Sequence, residues 1–164
     1  MTSELVASNR PGSAKASVSL VVFTIDHQCH ALPLPAVERV VPVVEITPVP
    51  QASGCIAGVV NVQGRIVLVM DCRKRFHLPS REVELTDQLL IARVAGRTVA
   101  LLVDRVEGVV EALESDIVAA HQILPGMEAQ GALKLHDGSI VLIHDSGLVL
   151  NAGERQLEFA MIAT

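Results

Sequence analysis

An all-β architecture of two five-stranded barrels packed side by side is predicted for this chain, and three observations predict it. Half of the 164 residues are apolar, and most of these are Val, Leu, Ile and Ala, which suit a pleated, half-buried surface. Short apolar runs alternate with turn residues at intervals of roughly eight to twelve positions. The second half of the chain also repeats the first, with a period of about 70 residues that is too long for a solenoid unit and suits a small barrel.

The elements follow in order along the chain. Residues 1–17 mix Ser, Ala, Asn, Pro and Gly without periodicity and read as a mobile tail. Val18–Ile25 is a strand, Asp26–Gln28 a turn and Cys29–Leu34 the returning strand. Val37–Val44 is β-branched, but Pro42 lacks a ladder donor, which places this stretch at an edge or bend. Ile56–Asn61 and Arg65–Asp71 flank Val62-Gln63-Gly64, where Gly64 can take positive φ. Cys72–Leu78 reads as one short helix with a basic face, stopped by Pro79. The first barrel then covers about 18–80 and the second about 86–150, with 151–164 as a C-terminal segment forming a short helix.

The repeat is carried by three alignments. Leu20–Ile25 finds its counterpart in Leu89–Val94. Ala31-Leu32-Pro33-Leu34 with Val37–Val41 matches Ala100-Leu101-Leu102-Val103 with Val106–Val110. Gly64–Asp71 matches Gly138–Asp145 after a short insertion. Two such units on one chain leave a groove at the pseudo-twofold, and grooves between domains are common binding sites.

Composition excludes several functions. A net charge of −5, with no Trp or Tyr and three scattered Phe, argues against a phosphate-neutralising surface or a base-stacking platform. Cys29, Cys55 and Cys72 form no CxxC pair and read as small buried hydrophobes of a reducing compartment. No apolar run reaches the ~18 residues of a spanning helix, and the N-terminus has no signal core, so the expected location is cytoplasmic.

Chemistry-bearing patterns are equally sparse. Phosphate-loop, dinucleotide, zincin and nucleophile-elbow motifs are absent, so neither an enzyme nor a cofactor is expected. In His27-Gln28-Cys29-His30 strand alternation lets only two ligands converge, too few for zinc. The same alternation separates His136 from Asp137 and His144 from Asp145. Asp71 and Asp145, each at a strand end, suit the capping of the next turn better than acid–base work. Cys72, beside Arg73, Lys74 and Arg75, would have a lowered thiol pKa if exposed.

The stretch Gly58-Val59-Val60-Asn61-Val62-Gln63-Gly64-Arg65-Ile66-Val67-Leu68-Val69-Met70-Asp71 resembles the GxxNxRGxxxPxxDLR signature of the CheW family, the adaptors of bacterial chemotaxis arrays. Leu32–Val41, Leu101–Val106 and Leu135–Leu150 are similar to that family's other segments, in the same order, across about 18–150. The resemblance implies a non-catalytic scaffold of two SH3-like or OB-like barrels with short helices at the repeat ends. It implies that the chain bridges the cytoplasmic tip of a chemoreceptor and the regulatory domain of a CheA-like histidine kinase, without entering the membrane or binding nucleic acid. Receptor contact is then expected at Val37, Arg39, Gly58, Asn61, Gln63, Gly64, Gly96 and Val103. The two valines suit a barrel core equally well, and the glycines suit plain turns.

Three departures stand out. Leu68 replaces the family's Pro and Cys72 its Leu, both apolar exchanges. At the third, the family's acid–base pair in the receptor-binding region becomes Arg39 and Gln63, so that pair is expected to be lost. Glu38 and Arg65 are adjacent charges that could substitute for it, though strand alternation would put each on the other face. The exchange points to a divergent array, such as a surface-sensing or motility pathway, or to a competitor of the ordinary adaptor.

Overall fold

The computed structural model describes residues 16–50, 54–94 and 96–145; the expected tail, apart from its last residues, and the C-terminal segment 151–164 lie outside them. Eleven strands and two short helices follow in order: β1 Ser17–Ile25, β2 Gln28–Pro33, β3 Val37–Pro42, β4 Ile56–Val62, β5 Arg65–Asp71, α1 Cys72–Arg75, β6 Gln88–Val94, β7 Arg97–Val103, β8 Arg105–Leu113, β9 Val118–Ala119, α2 Ala120–Ile123, β10 Gly131–Lys134 and β11 Ile140–Ile143. The protein is mostly β, as the composition predicts. The helix expected over Cys72–Leu78 ends at Arg75.

The strands form two sheets, of order β8-β1-β2-β11-β10-β9 and β3-β6-β7-β5-β4. These sheets do not follow the contiguous halves 18–80 and 86–150 that the repeat suggests. Each sheet takes its first hairpin from one repeat and its next strands from the other. β1–β2 lies between β8 and β11, with β10 beyond β11, while the equivalent hairpin β6–β7 lies between β3 and β5, with β4 beyond β5. The symmetry extends to strand direction, because β11 runs parallel to β2 as β5 does to β7. The chain crosses between sheets through Leu34–Ala36, where Pro35 cannot extend a ladder, and again through Asp104 alone.

This exchange explains the near-continuous apolar runs of the hairpin strands. In β1, Val21, Phe23 and Ile25 face a central core shared with Met70, Leu90 and Leu101, while Leu20 and Val22 face the core of the six-stranded sheet. In β7, Val99, Leu101 and Val103 face the central core and Ala100 and Leu102 a third one. A strand buried on both faces has no polar side to show. β3 is an edge strand, where Pro42 does least harm.

Two-residue turns with left-handed backbone close two of the hairpins. Asp26 and His27, with φ of 52° and 66°, join β1 to β2, and Gln63 and Gly64, with φ of 51° and 86°, join β4 to β5. Positive φ at both central residues is the mirror-image turn whose twist matches paired strands.

Candidate protein-interaction site

Six of the eight positions singled out in the sequence gather at one end of the five-stranded sheet. β3 and β5 begin there, β4 ends there, and β6 turns into β7 through Gly96. Arg39, Asn61, Gln63, Gly64 and Gly96 are exposed and Val37 is half-buried. Asn61 braces the turn, its Oδ1 accepting from the Gly64 N–H at 2.8 Å. Gly96, at φ 80°, has open space where a Cβ would stand.

Gly58 and Val103 sit elsewhere. Val103 is 1% exposed and belongs to the central core. Gly58 is buried at φ 147°, and a Cβ there would lie 2.2 Å from the Thr47 carbonyl oxygen. That contact comes from the bridge in which Thr47 and Val59 exchange both backbone hydrogen bonds at 2.8 Å. Gly58→Ala is therefore expected to cost about 2–4 kcal/mol in a denaturant titration, through backbone strain and collision. A loss below about 0.5 kcal/mol would mean that the Thr47 strand moves aside freely.

No acid–base pair joins positions 39 and 63, as the residue types require, but the two side chains still touch. Arg39 Nη1 donates to Gln63 Oε1 at 2.6 Å, a contact with one charge, the guanidinium on β3. Glu38 and Arg65, the substitute pair the sequence offers, meet at 3.6 Å, and against alternation they line the same cleft as Arg39 and Gln63. The cause is a bulge: the β3–β6 register shifts between Val37 and Arg39. An extra residue in one strand interrupts alternation, so that the successive side chains Glu38 and Arg39 reach the same cleft. Glu38 also accepts from Thr98 Oγ1 at 3.2 Å and lies 3.9 Å from Arg93. With Arg39, Gln63 and Arg65 it lines a shallow cleft of about 70 Å³.

At the opposite end, a charge network ties the two sheets together. Asp104 accepts from the Asp26 N–H at 2.8 Å, from Arg73 at 2.7 Å and from Arg81 at 2.9 Å. Arg81 also forks onto both oxygens of Asp87, at 2.7 and 3.0 Å. Burial works to raise the Asp87 carboxyl, but the Arg81 hydrogen bonds and the Glu84 N–H outweigh it and hold the group below its usual range. Asp71 caps α1, accepting from the Arg73 N–H at 2.9 Å.

The remaining chemical candidates resolve into structure. Cys72 is fully buried, and desolvation pushes its thiol far up rather than down; the basic run beside it does not make a reactive thiolate. His27 is exposed on its turn, whereas His30 is 1% exposed. His30 Nδ1 lies 2.9 Å from His144 Nε2, and both rings stack on Phe76. Sequence reasoning missed this pair because the two residues meet only through the parallel pairing of β2 with β11. Asp137 accepts from the N–H and Oγ of Ser139, holding its own turn. Among the described residues no three His, Cys, Asp or Glu side chains gather as metal ligands, and no helix is long and apolar enough to cross a membrane.

Known proteins with similar sequences and structures agree with one another. The sequence pattern of the CheW-like domain matches residues 19–154. The chemotaxis protein CheW of Thermotoga maritima is 31% identical over 124 residues, covering 75% of this chain and 81% of that protein. The CheW of Rhizobium meliloti is 26% identical over 140 residues, covering 84% and 90%. The crystal structure of the scaffolding protein TtCheW from Thermoanaerobacter tengcongensis superposes with a TM-score of 0.75 at 25% identity, covering 85% of this chain and 96% of that one.

Proposed function

The chain belongs to the CheW-like domain family, and from that premise we propose that it is a non-catalytic adaptor coupling a methyl-accepting chemoreceptor to a CheA-like histidine kinase. The observation that carries this reading is the gathering of Val37, Arg39, Asn61, Gln63, Gly64 and Gly96 at one accessible sheet end. A receptor's helical hairpin can lay a ridge of side chains there, anchored by a few polar contacts. The kinase's regulatory domain takes a different face. The adaptor works in the cytoplasm, at arrays of membrane receptors, and needs no cofactor.

The polarity of the Arg39–Gln63 contact favours a receptor of a divergent pathway, such as surface sensing or motility. A fixed cation on β3 selects a different partner surface from the fixed anion of the ordinary family pair. The test is a pull-down in which the purified chain meets each candidate receptor hairpin and each candidate kinase regulatory domain. One receptor class and one kinase are expected to be retained. Retention of neither would overturn the reading.

A further inference from the structure

Two arginines converge on one carboxylate at the sheet end described above, and a third stands beside them. Arg65 on β5 and Arg93 on β6 both approach Glu38, at 3.6 and 3.9 Å, and Arg39 beside them donates to the neutral Gln63 amide. Among the described residues of β3 to β7, Glu38 is the one carboxylate at this end. Among the described residues a single negative charge does not balance these three guanidinium groups, so their end is basic there in a chain whose net charge is −5. The opposite end differs, for there Arg73 and Arg81 are matched by Asp26, Asp87 and Asp104.

We propose that this basic end docks an acidic protein segment; on the adaptor reading above, on which this inference rests, that segment is the receptor hairpin, offering carboxylates to Arg39 and Arg65. The planar guanidinium matches a carboxylate through two parallel hydrogen bonds, and Arg is enriched at protein interfaces. Both Arg65 and Arg93 are 58% exposed at the side chain, so their forks remain accessible beyond Glu38. Ile66, on the same hairpin, is 78% exposed and provides apolar contact next to the charges. Mixed apolar and charged contact suits a folded protein segment. A nucleic acid or anionic membrane, extending past this small patch, would meet the acidic remainder of the chain.

The experiment measures affinity for the soluble cytoplasmic hairpins of the receptors encoded in the same genome, at about 50 mM and about 500 mM salt. Four proteins are compared: wild type, Arg39→Glu with Arg65→Glu, Arg39→Gln with Arg65→Gln, and Arg105→Glu. Arg105 is a 72% exposed arginine on β8 of the other sheet. The glutamate pair is expected to bind at least about tenfold more weakly at low salt, the glutamine pair to lie between it and wild type, and the differences to shrink at high salt. Arg105→Glu should bind as wild type does, and all four should melt alike. A hairpin held equally by wild type and both double variants would overturn this inference and leave the adaptor reading standing. No hairpin bound by the wild type would overturn both. Arg39- and Arg65-dependent retention of anionic vesicles or of single-stranded nucleic acid, with no hairpin bound, would assign the basic end to the other class of partner.

Discussion

Asp104→Ala is expected to lower the free energy of unfolding by about 2–3 kcal/mol, with a fall in melting temperature of roughly 5–10 °C. Asp104 is the lone residue between β7 of one sheet and β8 of the other. Its two oxygens accept from Arg73, from Arg81 and from the Asp26 N–H in the β1–β2 turn. Alanine leaves two guanidinium groups short of a partner, with the Arg73 side chain only 12% exposed. It also strips the acceptor from a part-buried backbone donor. Breaking one member of a fully buried ion pair costs ~3–5 kcal/mol, and the 27% exposure of Asp104 lowers the figure here. Glu38→Gln, on a rim whose Arg65 partner is 58% exposed, should cost less than about 1 kcal/mol by comparison. Chemical denaturation of both variants checks the contrast, and equal losses would contradict it.

Stability should also fall steeply as pH drops below about 6.5, because of the buried imidazoles. Desolvation lowers His30 to about 4; desolvation, then His30 and Arg75, lower His144 to about 3. In the unfolded chain each takes up its proton near pH 6.5. Between these values the unfolded state holds more protons than the folded one, so the unfolding free energy decreases with falling pH across that window. At about 1.4 kcal/mol per pKa unit, the two rings together amount to several kcal/mol by pH 4.

The hydrogen-bond pattern points the same way. His30 Nε2 is buried without a partner, so a proton there would be an orphaned donor. The neutral form with Nδ1–H donating to His144 Nε2 avoids it. His30→Leu with His144→Leu removes both titrations and should flatten the stability profile between pH 6.5 and 4. Profiles of equal slope would mean that other groups govern acid unfolding.

What the sequence revealed and what it hid have separate physical causes. The repeat was legible because equivalent strands bury equivalent faces, leaving the same apolar runs at Leu20–Ile25 and Leu89–Val94. Which sheet each hairpin joins was not legible, because an internal alignment matches strands without saying whose edge they pair with. Pro42 correctly marked an edge, since a missing donor is a property of one residue. The meeting of Glu38 with Arg65 was hidden by a bulge, a one-residue shift that leaves no mark in the letters. Cys72 is the buried hydrophobe its composition suggested; its basic neighbours in sequence do not lower its thiol because its neighbours in space are the central core. Six positions of the proposed interaction site were legible through family resemblance, and the buried places of Gly58 and Val103 came from packing.

The central claim is that this chain bridges two proteins. The measurement that addresses it most directly is retention of the kinase on an immobilised receptor hairpin, with and without the chain added. The account predicts that the kinase is held only when the chain is present, and in proportion to the amount added until sites saturate. Equal retention in both arms, with the chain folded and present in excess, would contradict it.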